Sequence, residues 1–223
     1  MSDLTLNATT PVFSPLEPIF ASFTGQIPLE FREQFLHSVD YPYGMLLEGL
    51  MHDVWHKPGW LGPVYWVLGK LGILVPYNGR EVPTTVRIVP GVYANGRLFH
   101  RWERTLRFEK PVRFNTTFIY DSGLRTVVEM VGPGETIAIA WTCRFVPPGR
   151  LTLDTQACAL SIGSRRLWLP RRLWRLMFGT MHFTQDADAA RDDMAHINLL
   201  ISHPLLGEVF GYRGTFRTVR TPK

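Results

Sequence analysis

The sequence predicts an α+β fold that is mostly β: a curved antiparallel meander of about 8–10 strands that closes into a barrel-like sheet, with N-terminal helices packed on it. Apolar residues recur at every second position through most of the chain after Thr84. Turn-forming residues separate those segments, and helical spacing is concentrated in the first third of the chain. Such a meander must close or fold over to protect its edge strands.

The composition fits one globular domain. The chain has 223 residues, of which 45% are hydrophobic and only 19% are charged, so it can bury a sizeable core. We expect a flexible N-terminus over residues 1–14 and a single β-rich ligand-pocket domain over residues 15–223. The polar start of the sequence lacks an export signal. We therefore expect a cytoplasmic protein whose two cysteines, Cys143 and Cys158, are reduced and packed as small hydrophobes.

Two segments before the strands are predicted to be helices. Residues 26–36 have a proline in the first turn, acidic residues near the positive end and phenylalanines on one face. Residues 60–74 keep one apolar stripe with a single charge, Lys70, and are too short to span a bilayer. This second helix should pack on the sheet or dip into a membrane surface. Residues 44–55 fit a helix or a strand, and we interpret them as an opening strand.

Alternation of apolar and polar residues predicts the strands that follow. Glycine, proline and asparagine mark turns at 94–96, 121–123, 132–134 and 147–149. The predicted strands cover residues 84–88, 97–108, 112–121, 124–131, 135–145, 150–161, 179–186, 194–202 and 208–219.

A few polar residues fall on the apolar faces of these strands. His100 and Arg104 lie on the same face as Trp102 in the strand 97–108. A buried arginine is costly unless it is paired, and Glu129 lies on an apolar face of the strand 124–131. We therefore expect an Arg104–Glu129 contact in the interior. It is either a structural ion pair that clamps strands or a polar anchor or acid/base centre in a pocket.

Four further side chains are candidates for contacting a substrate: Trp102, Trp141, His182 and Tyr212. Tyr212 shares an apolar face with Phe210, where it could offer a hydroxyl or simply pack. The pattern does not decide whether His182 faces the interior or the solvent. His100 is the best-placed histidine for moving a proton at physiological pH, because its strand neighbours define its direction.

The positive charge, +5 overall with a pI near 9.5, concentrates in residues 164–177. Arginines alternate there with tryptophan and leucine, which fits either a short helix that caps the barrel or a segment that contacts a membrane surface. The arginines concerned are Arg165, Arg166, Arg171, Arg172 and Arg175. The tryptophans of this segment lie among leucines, which makes nucleic acid a poorer partner than a membrane surface. We therefore predict no nucleic-acid partner.

The sequence lacks a G-x-S-x-G elbow, a phosphate-binding glycine loop, a dinucleotide fingerprint and the H-E-x-x-H and C-x-x-C patterns. We therefore predict neither a cofactor nor a metal. The leading hypothesis is a cofactor-independent isomerase or cyclase that acts on a small apolar polyketide-, terpenoid- or lipid-like substrate in an enclosed pocket. Glu129 would be the general acid or base, Arg104 would tune it or hold an oxyanion, and His100 would relay or orient.

Two alternatives remain open. The same pocket could belong to a non-catalytic protein that binds a lipid-like ligand, with Arg104 as the anchor for a polar group. The basic segment and residues 60–74 could instead make the protein a peripheral membrane module.

Several motifs occur together along the chain. The segment 194–214 contains a strand, a Pro-Leu-Leu-Gly turn and a Tyr-Arg-Gly strand, while Trp102-Glu103-Arg104 and residues 128–133 (V-E-M-V-G-P) come earlier. Residues 167–176 form a leucine- and proline-containing segment. In combination these motifs resemble the bacterial domain-of-unknown-function family 4166, over roughly residues 15–219 and least in the N-terminal third.

That resemblance implies no settled activity. Some relatives are fused to nucleotide-cofactor oxidoreductase-like domains, which implies small-molecule metabolism without supplying a mechanism. It also draws attention to Arg104 and Glu129, because both lie in the matching motifs.

Overall fold

The computed structural model describes residues 14–20, 29–59, 61–147, 149–162, 165–188, 191 and 193–222, with the backbone alone at 29–32. The helices in these ranges are α1 (Glu17–Phe20), α2 (Leu29–Leu36), α3 (Gly62–Lys70) and α4 (Arg171–Phe178). The strands are β1 (Tyr43–His56), β2 (Gly79–Val92), β3 (Leu98–Leu106), β4 (Val112–Asp121), β5 (Thr126–Val131), β6 (Ile137–Val146), β7 (Arg150–Ile162), β8 (Arg165–Trp168), β9 (Thr180–Ala187), β10 (Met194–His203) and β11 (Gly207–Pro222).

All of these strands except β8 form a closed antiparallel barrel. Neighbouring strands hydrogen-bond in the order β1-β2-β3-β4-β5-β6-β7-β9-β10-β11, and β11 pairs with β1 to close the ring. The short β8 extends the sheet beside the last residues of β7. The predicted class, a mostly β antiparallel meander that closes into a barrel with helices packed on it, is confirmed.

Residues 164–177 were predicted to form one short helix or one segment that contacts a membrane surface, and the structure differs from both. Its first half is β8 and only its second half is α4. Pro170 has an extended backbone (φ −54°, ψ 141°) between them. A residue that precedes proline is biased away from helical geometry, so the helix begins only after Pro170.

The ends of the predicted helices also shift. α3 is shorter than the predicted 60–74, since the chain turns after Lys70 and reaches a left-handed backbone at Gly72 (φ +61°). Trp60 and residues 26–28 of the first predicted helix lie outside the described residues. Residues 1–13 of the predicted flexible N-terminus lie outside them as well, whereas Ser14 is buried and its hydroxyl donates to the Phe35 carbonyl at 2.7 Å.

The N-terminal helices close one end of the barrel. Phe20 of α1 stacks on Phe35 of α2 at 5.4 Å between ring centroids, and Phe35 lies 5.7 Å from the Trp102 ring of β3. Gln34 of α2 accepts a hydrogen bond from Gln185 of β9 at 2.6 Å and donates one to Thr218 of β11 at 2.8 Å. These buried contacts anchor α2 to three separate strands.

The helices α3 and α4 lie at the end where β1 finishes and β9 begins. The Tyr65 hydroxyl of α3 donates to the Val209 carbonyl at the start of β11 at 3.0 Å. His203 Nε2, at the end of β10, donates to the Leu176 carbonyl of α4 at 2.7 Å. Both helices are therefore tied to the β10–β11 connection. Within the described ranges, no helix is long and apolar enough to cross a bilayer.

Candidate functional site

A cavity of about 480 Å³ lies inside the barrel. That volume falls in the range of roughly 300–1,000 Å³ that is typical of small-molecule sites. Most of its wall is apolar. The polar or partly polar side chains that line it are Tyr65, Trp102, Arg104, Glu129, Trp141, Gln185, His203 and Tyr212. An apolar chamber with few polar groups suits a small and largely apolar molecule.

The cavity opens at the end that carries α3 and α4. The lining side chains that are also well exposed are Val64 of α3 (44%), Met177 of α4 (51%) and Leu205 of the β10–β11 turn (76%). At the other end the lining residues Phe35 and Gln185 are buried. As far as the described residues define it, the cavity is therefore a pouch with one mouth, closed at its base by α2.

The charged pair of the interior is formed by Arg104 and Glu129. Arg104 Nη2 lies 3.9 Å from Glu129 Oε1, and each side chain is only 11% exposed. The two residues are on β3 and β5, which are separated by β4, and the long arginine side chain bridges the gap. On β4 the Thr116 hydroxyl accepts a hydrogen bond from Arg104 Nη1 at 2.8 Å. The expected interior contact is thus present on one wall of the cavity.

Aromatic rings hold the arginine in place. The Arg104 guanidinium lies 5.3 Å from the ring centroids of both Trp102 and Phe114. Cation–π contacts of this kind favour a charged guanidinium where water is scarce. They fix the position of the charge beside Glu129 without neutralising it.

The Glu129 carboxyl accepts a hydrogen bond from a side chain on β6. Trp141 Nε1 donates to Glu129 Oε2 at 3.1 Å. The β6–β7 register shifts between Ala140 and Trp141, where β7 carries an extra residue, Gln156. Such a bulge re-aims side chains, and it allows both Leu153 and Cys158 of β7 to line the cavity despite their odd spacing.

Burial shifts the protonation equilibrium of Glu129 toward the neutral acid, and its charged and polar neighbours oppose that shift. Burial raises the pKa of this carboxyl, while the Arg104 charge and the hydrogen bonds from Thr116 and Trp141 act in the opposite direction. The raised pKa brings the protonated acid closer to neutral pH and makes the ionised form a stronger base. A carboxyl with these properties can deliver and remove protons inside an apolar cavity.

Tyr212 lines the cavity from β11, which lies opposite β5 in the ring of strands. Burial raises the pKa of Tyr212 to about 12, the Arg104 charge opposes that shift and the Glu129 charge adds to it. The phenol therefore stays protonated and can donate a hydrogen bond. Tyr212 therefore offers the cavity a neutral hydroxyl rather than a phenolate.

Two other cavity groups constrain what the site can do. Among the described residues, the buried Trp102 Nε1 has no hydrogen-bond partner, so this donor is left unsatisfied in the interior. Burial raises the pKa of the Cys158 thiol to about 12, so it stays protonated and is a poor nucleophile. Cys143 and Cys158 are both free thiols.

Two predicted site residues are placed elsewhere. Residues Met181, Phe183 and Gln185 of β9 line the cavity, so the alternation of that strand turns His182 outward. The expectation that His182 contacts a substrate in the interior is corrected accordingly: its side chain is 48% exposed and lies 2.6 Å from Asp154.

His100 is fully buried but does not line the cavity. Its Nε2 hydrogen-bonds the His37 carbonyl near the base of the barrel. Burial lowers the pKa of His100 to about 4, so the imidazole is neutral at physiological pH. The structure therefore brings together Arg104, Glu129, Trp102, Trp141 and Tyr212 and leaves both histidines out.

Some site residues were not predicted. Gln185 lies on an inward face with Met181 and Phe183. The alternation of side chains along a strand, which identified Arg104, would also have identified Gln185. Thr116 could not be identified in this way, because its role depends on the register that places it between Arg104 and Glu129. Within the described ranges, no cluster of three or more His, Cys, Asp or Glu side chains could hold a metal ion.

The basic segment divides between two surfaces. Arg166 of β8 lies on the outside of the barrel, where it is 3.6 Å from Asp121 and donates to Met130 Sδ. Arg171, Arg172 and Arg175 are exposed on α4, and Arg165 is exposed on β8. Only the α4 arginines are on an element that borders the cavity mouth.

Comparison with known proteins identifies a family without identifying an activity. The family model described as "Domain of unknown function (DUF4166)" matches residues 27–216. A crystal structure from Thermobifida fusca YX, of a protein provisionally described as a thioesterase II, is similar at 10% identity over 86% of this chain and 84% of that one, with a TM-score of 0.25. No curated protein matches the sequence. A closed barrel around a cavity is compatible with binding a small ligand or with an enzymatic role.

Proposed function

Because this chain belongs to the DUF4166 family, whose description assigns no activity, we propose a function from its own cavity: cofactor-independent isomerisation or cyclisation of a small apolar molecule. The substrate class is polyketide-, terpenoid- or lipid-like, since the cavity wall offers mostly aliphatic and aromatic side chains. The observation that carries the proposal is a buried carboxyl, Glu129, in that wall with a guanidinium 3.9 Å away.

The reaction is a proton shift between two carbons of the substrate. The Glu129 carboxylate takes a proton as a carbon–hydrogen bond breaks, and the electron pair moves into the adjacent unsaturated group. The protonated carboxyl then returns the proton to a second carbon, where a new carbon–hydrogen bond forms. The substrate keeps its composition, and the step requires no oxidant or reductant.

The neighbours of Glu129 have separate roles. Arg104 stabilises the negative charge that develops on a substrate oxygen, and the Tyr212 hydroxyl adds a neutral donor to the same charge. Trp141 orients the carboxyl through its 3.1 Å hydrogen bond. Trp102 contributes an aromatic wall. His100, which is outside the cavity, contributes only to the packing beneath the site.

A non-catalytic carrier is the second candidate, and a specific observation favours it. The Arg104 guanidinium already lies 3.9 Å from the Glu129 carboxyl, which accepts a hydrogen bond from Trp141, so the pair can act as a structural clamp between strands. In a carrier the Tyr212 hydroxyl would anchor the polar end of the ligand. The ligand would then leave the cavity chemically unchanged.

Comparison of the ligands carried by two variants separates these candidates. Wild-type protein and Glu129→Gln are purified from the same host, and their bound molecules are extracted under denaturing conditions. Catalysis predicts two isomers of equal mass and different chromatographic retention, and addition of the Glu129→Gln ligand to wild-type protein should convert it. Glu103→Gln on the outward face of β3 is the matched control and should behave as wild type.

Two outcomes would overturn the catalytic proposal. Conversion by Glu129→Gln at the wild-type rate would remove Glu129 from the chemistry. Identical ligands from both proteins, recovered unchanged after incubation with wild type, would establish the carrier instead.

A further inference from the structure

The mouth of the cavity is surrounded by exposed apolar side chains. They occur on α3 and just after it, on α4 and on the β10–β11 turn, and together they are called the mouth rim: Val64, Trp66, Val67, Leu71, Leu173, Leu176, Met177 and Leu205. Trp66 is 60% exposed and Leu205 is 76% exposed. Large apolar side chains exposed around the opening of a cavity are typical of a binding face.

Helix α3 is apolar on its outer side as well as its inner side. Tyr65 and Leu68 line the cavity. Trp66 lies on the far side of the helix, and Val67 and Leu71, one and two turns beyond Val64, are more than 40% exposed on a stripe beside the cavity-lining one. A helix that is hydrophobic all round is normally buried. The outer side of α3 is therefore exposed, although its apolar composition is typical of a buried surface.

Helix α4 has the composition of an interfacial helix. Trp174 is buried and anchors the helix to the barrel, while Leu173, Leu176 and Met177 are exposed. Arginines occupy its remaining exposed positions. Helices with leucine and aromatic residues on one side and arginine on the other lie at the boundary between lipid headgroups and acyl chains.

The charged residues of the two rim helices have one sign. Lys70, Arg171, Arg172 and Arg175 are exposed, and neither α3 nor α4 contains an acidic residue. None of these four side chains forms an ion pair within the described part of the chain. Basic side chains on an apolar surface are complementary to an anionic phospholipid layer.

We infer that the mouth rim docks on an anionic phospholipid surface, so that the cavity opens onto the acyl-chain boundary and an apolar ligand passes directly between bilayer and cavity. The inference rests on the proposed function, because it supplies the route by which an apolar molecule reaches the cavity. Docking is confined to the surface of the bilayer. An acidic protein would match the arginines but leave the exposed Trp66 and leucines in water.

Vesicle flotation at low salt tests the docking. Wild-type protein should float with phosphatidylcholine vesicles that contain about one-third phosphatidylglycerol and stay behind with phosphatidylcholine alone, and added salt should release it. Each basic residue near such a surface contributes about fivefold to partitioning. The triple variant Arg171→Gln, Arg172→Gln, Arg175→Gln should therefore bind about 100-fold more weakly.

A matched variant shows whether position matters beyond charge. Arg87→Gln, Arg101→Gln, Arg217→Gln removes the same charge from exposed positions on the barrel wall and should keep most of the binding. The double variant Leu176→Ser, Leu205→Ser should weaken binding at full charge, because it removes apolar contact. All of these positions are exposed, so the fold should survive, and thermal unfolding checks it.

Three results would overturn the docking: no flotation of wild-type protein, equal losses in the two triple variants, or an unaffected leucine variant. The proposed function is tested separately, by the mass of ligand bound in the absence of vesicles. A protein that carries ligand but ignores vesicles overturns only the docking. A protein that floats but has an empty cavity overturns the proposed function and the loading route together.

Discussion

At the scale of single residues, the interior is defined by a few polar groups whose burial changes their chemistry. Glu129 and Arg104 sit 3.9 Å apart in a wall of apolar side chains, and burial raises the pKa of the carboxyl. Removal of one partner from a buried pair leaves an uncompensated charge, which is a strongly destabilising change. Glu129→Gln also removes the charge, but it keeps the volume of the side chain and an oxygen that can accept from Trp141, so it is more informative than truncation to alanine.

His100 gives the clearest dependence of stability on pH. Its pKa is lowered to about 4 by burial, from an ordinary value near 6.5. Between these values the unfolded chain binds a proton that the folded chain does not, so stability falls as the pH falls from about 6.5 to about 4. The expected loss from His100 between pH 7.5 and pH 5 is about 2 kcal/mol, measured by urea unfolding at both pH values.

The variant His100→Gln should remove that part of the acid sensitivity, because glutamine has no proton to bind in this range. His182→Gln, on the exposed side of β9, is the matched control and should retain the wild-type difference between the two pH values. If His100→Gln loses as much stability at pH 5 as wild type does, the neutral buried imidazole is not the source of the effect.

At the scale of elements, polar anchors connect the N-terminal plug to the barrel. Gln34 of α2 is 1% exposed, accepts from Gln185 and donates to Thr218. Gln34→Ala should cost about 1–3 kcal/mol in the free energy of unfolding, because it leaves buried partners unsatisfied. Gln185→Ala should cost a similar amount, and the double variant should cost clearly less than the sum.

Urea unfolding of the two single variants and the double variant measures this coupling. Gln156→Ala, at an exposed position of β7, should change stability by no more than about 0.5 kcal/mol and serves as the control. Additive costs for Gln34→Ala and Gln185→Ala would contradict a direct link between α2 and β9.

Local sequence pattern predicted the strands better than it predicted where elements change. Alternation found β4 at its observed bounds and identified β1 as a strand against a competing helical spacing. It missed β8, because four residues that pair only with the end of β7 have too little pattern of their own. The local pattern also could not predict the bulge beside Trp141, because a bulge depends on the pairing of two strands.

The candidate site was predictable only as far as single strands allow. Period two placed Arg104 and Glu129 on inward faces, because their strand neighbours are apolar. It could not separate His100, at the buried base, from Arg104 in the cavity wall, because depth along a barrel depends on strand tilt and register. The face of His182 was left open, although Met181 and Phe183 alternate with Thr180 and Thr184 and indicate that His182 points outward.

At the scale of the whole molecule, the barrel is asymmetric from end to end. The end that holds α1 and α2 is packed and polar contacts hold it closed, whereas the end that holds α3 and α4 carries the mouth. A pouch with one mouth shields its contents from water while giving them a single route in and out. Docking of the mouth rim, capture of the ligand and proton transfer at Glu129 would then all take place along the barrel axis.

The central claim, that the cavity holds a small apolar molecule, is tested most directly by native mass spectrometry of the freshly purified protein. We expect one bound molecule per chain, released on denaturation and absent from Leu199→Trp, which fills the lumen from β10. Leu200→Trp on the neighbouring outward position should keep the ligand. A folded wild-type protein at its bare mass, or a ligand retained equally by Leu199→Trp, would contradict the account.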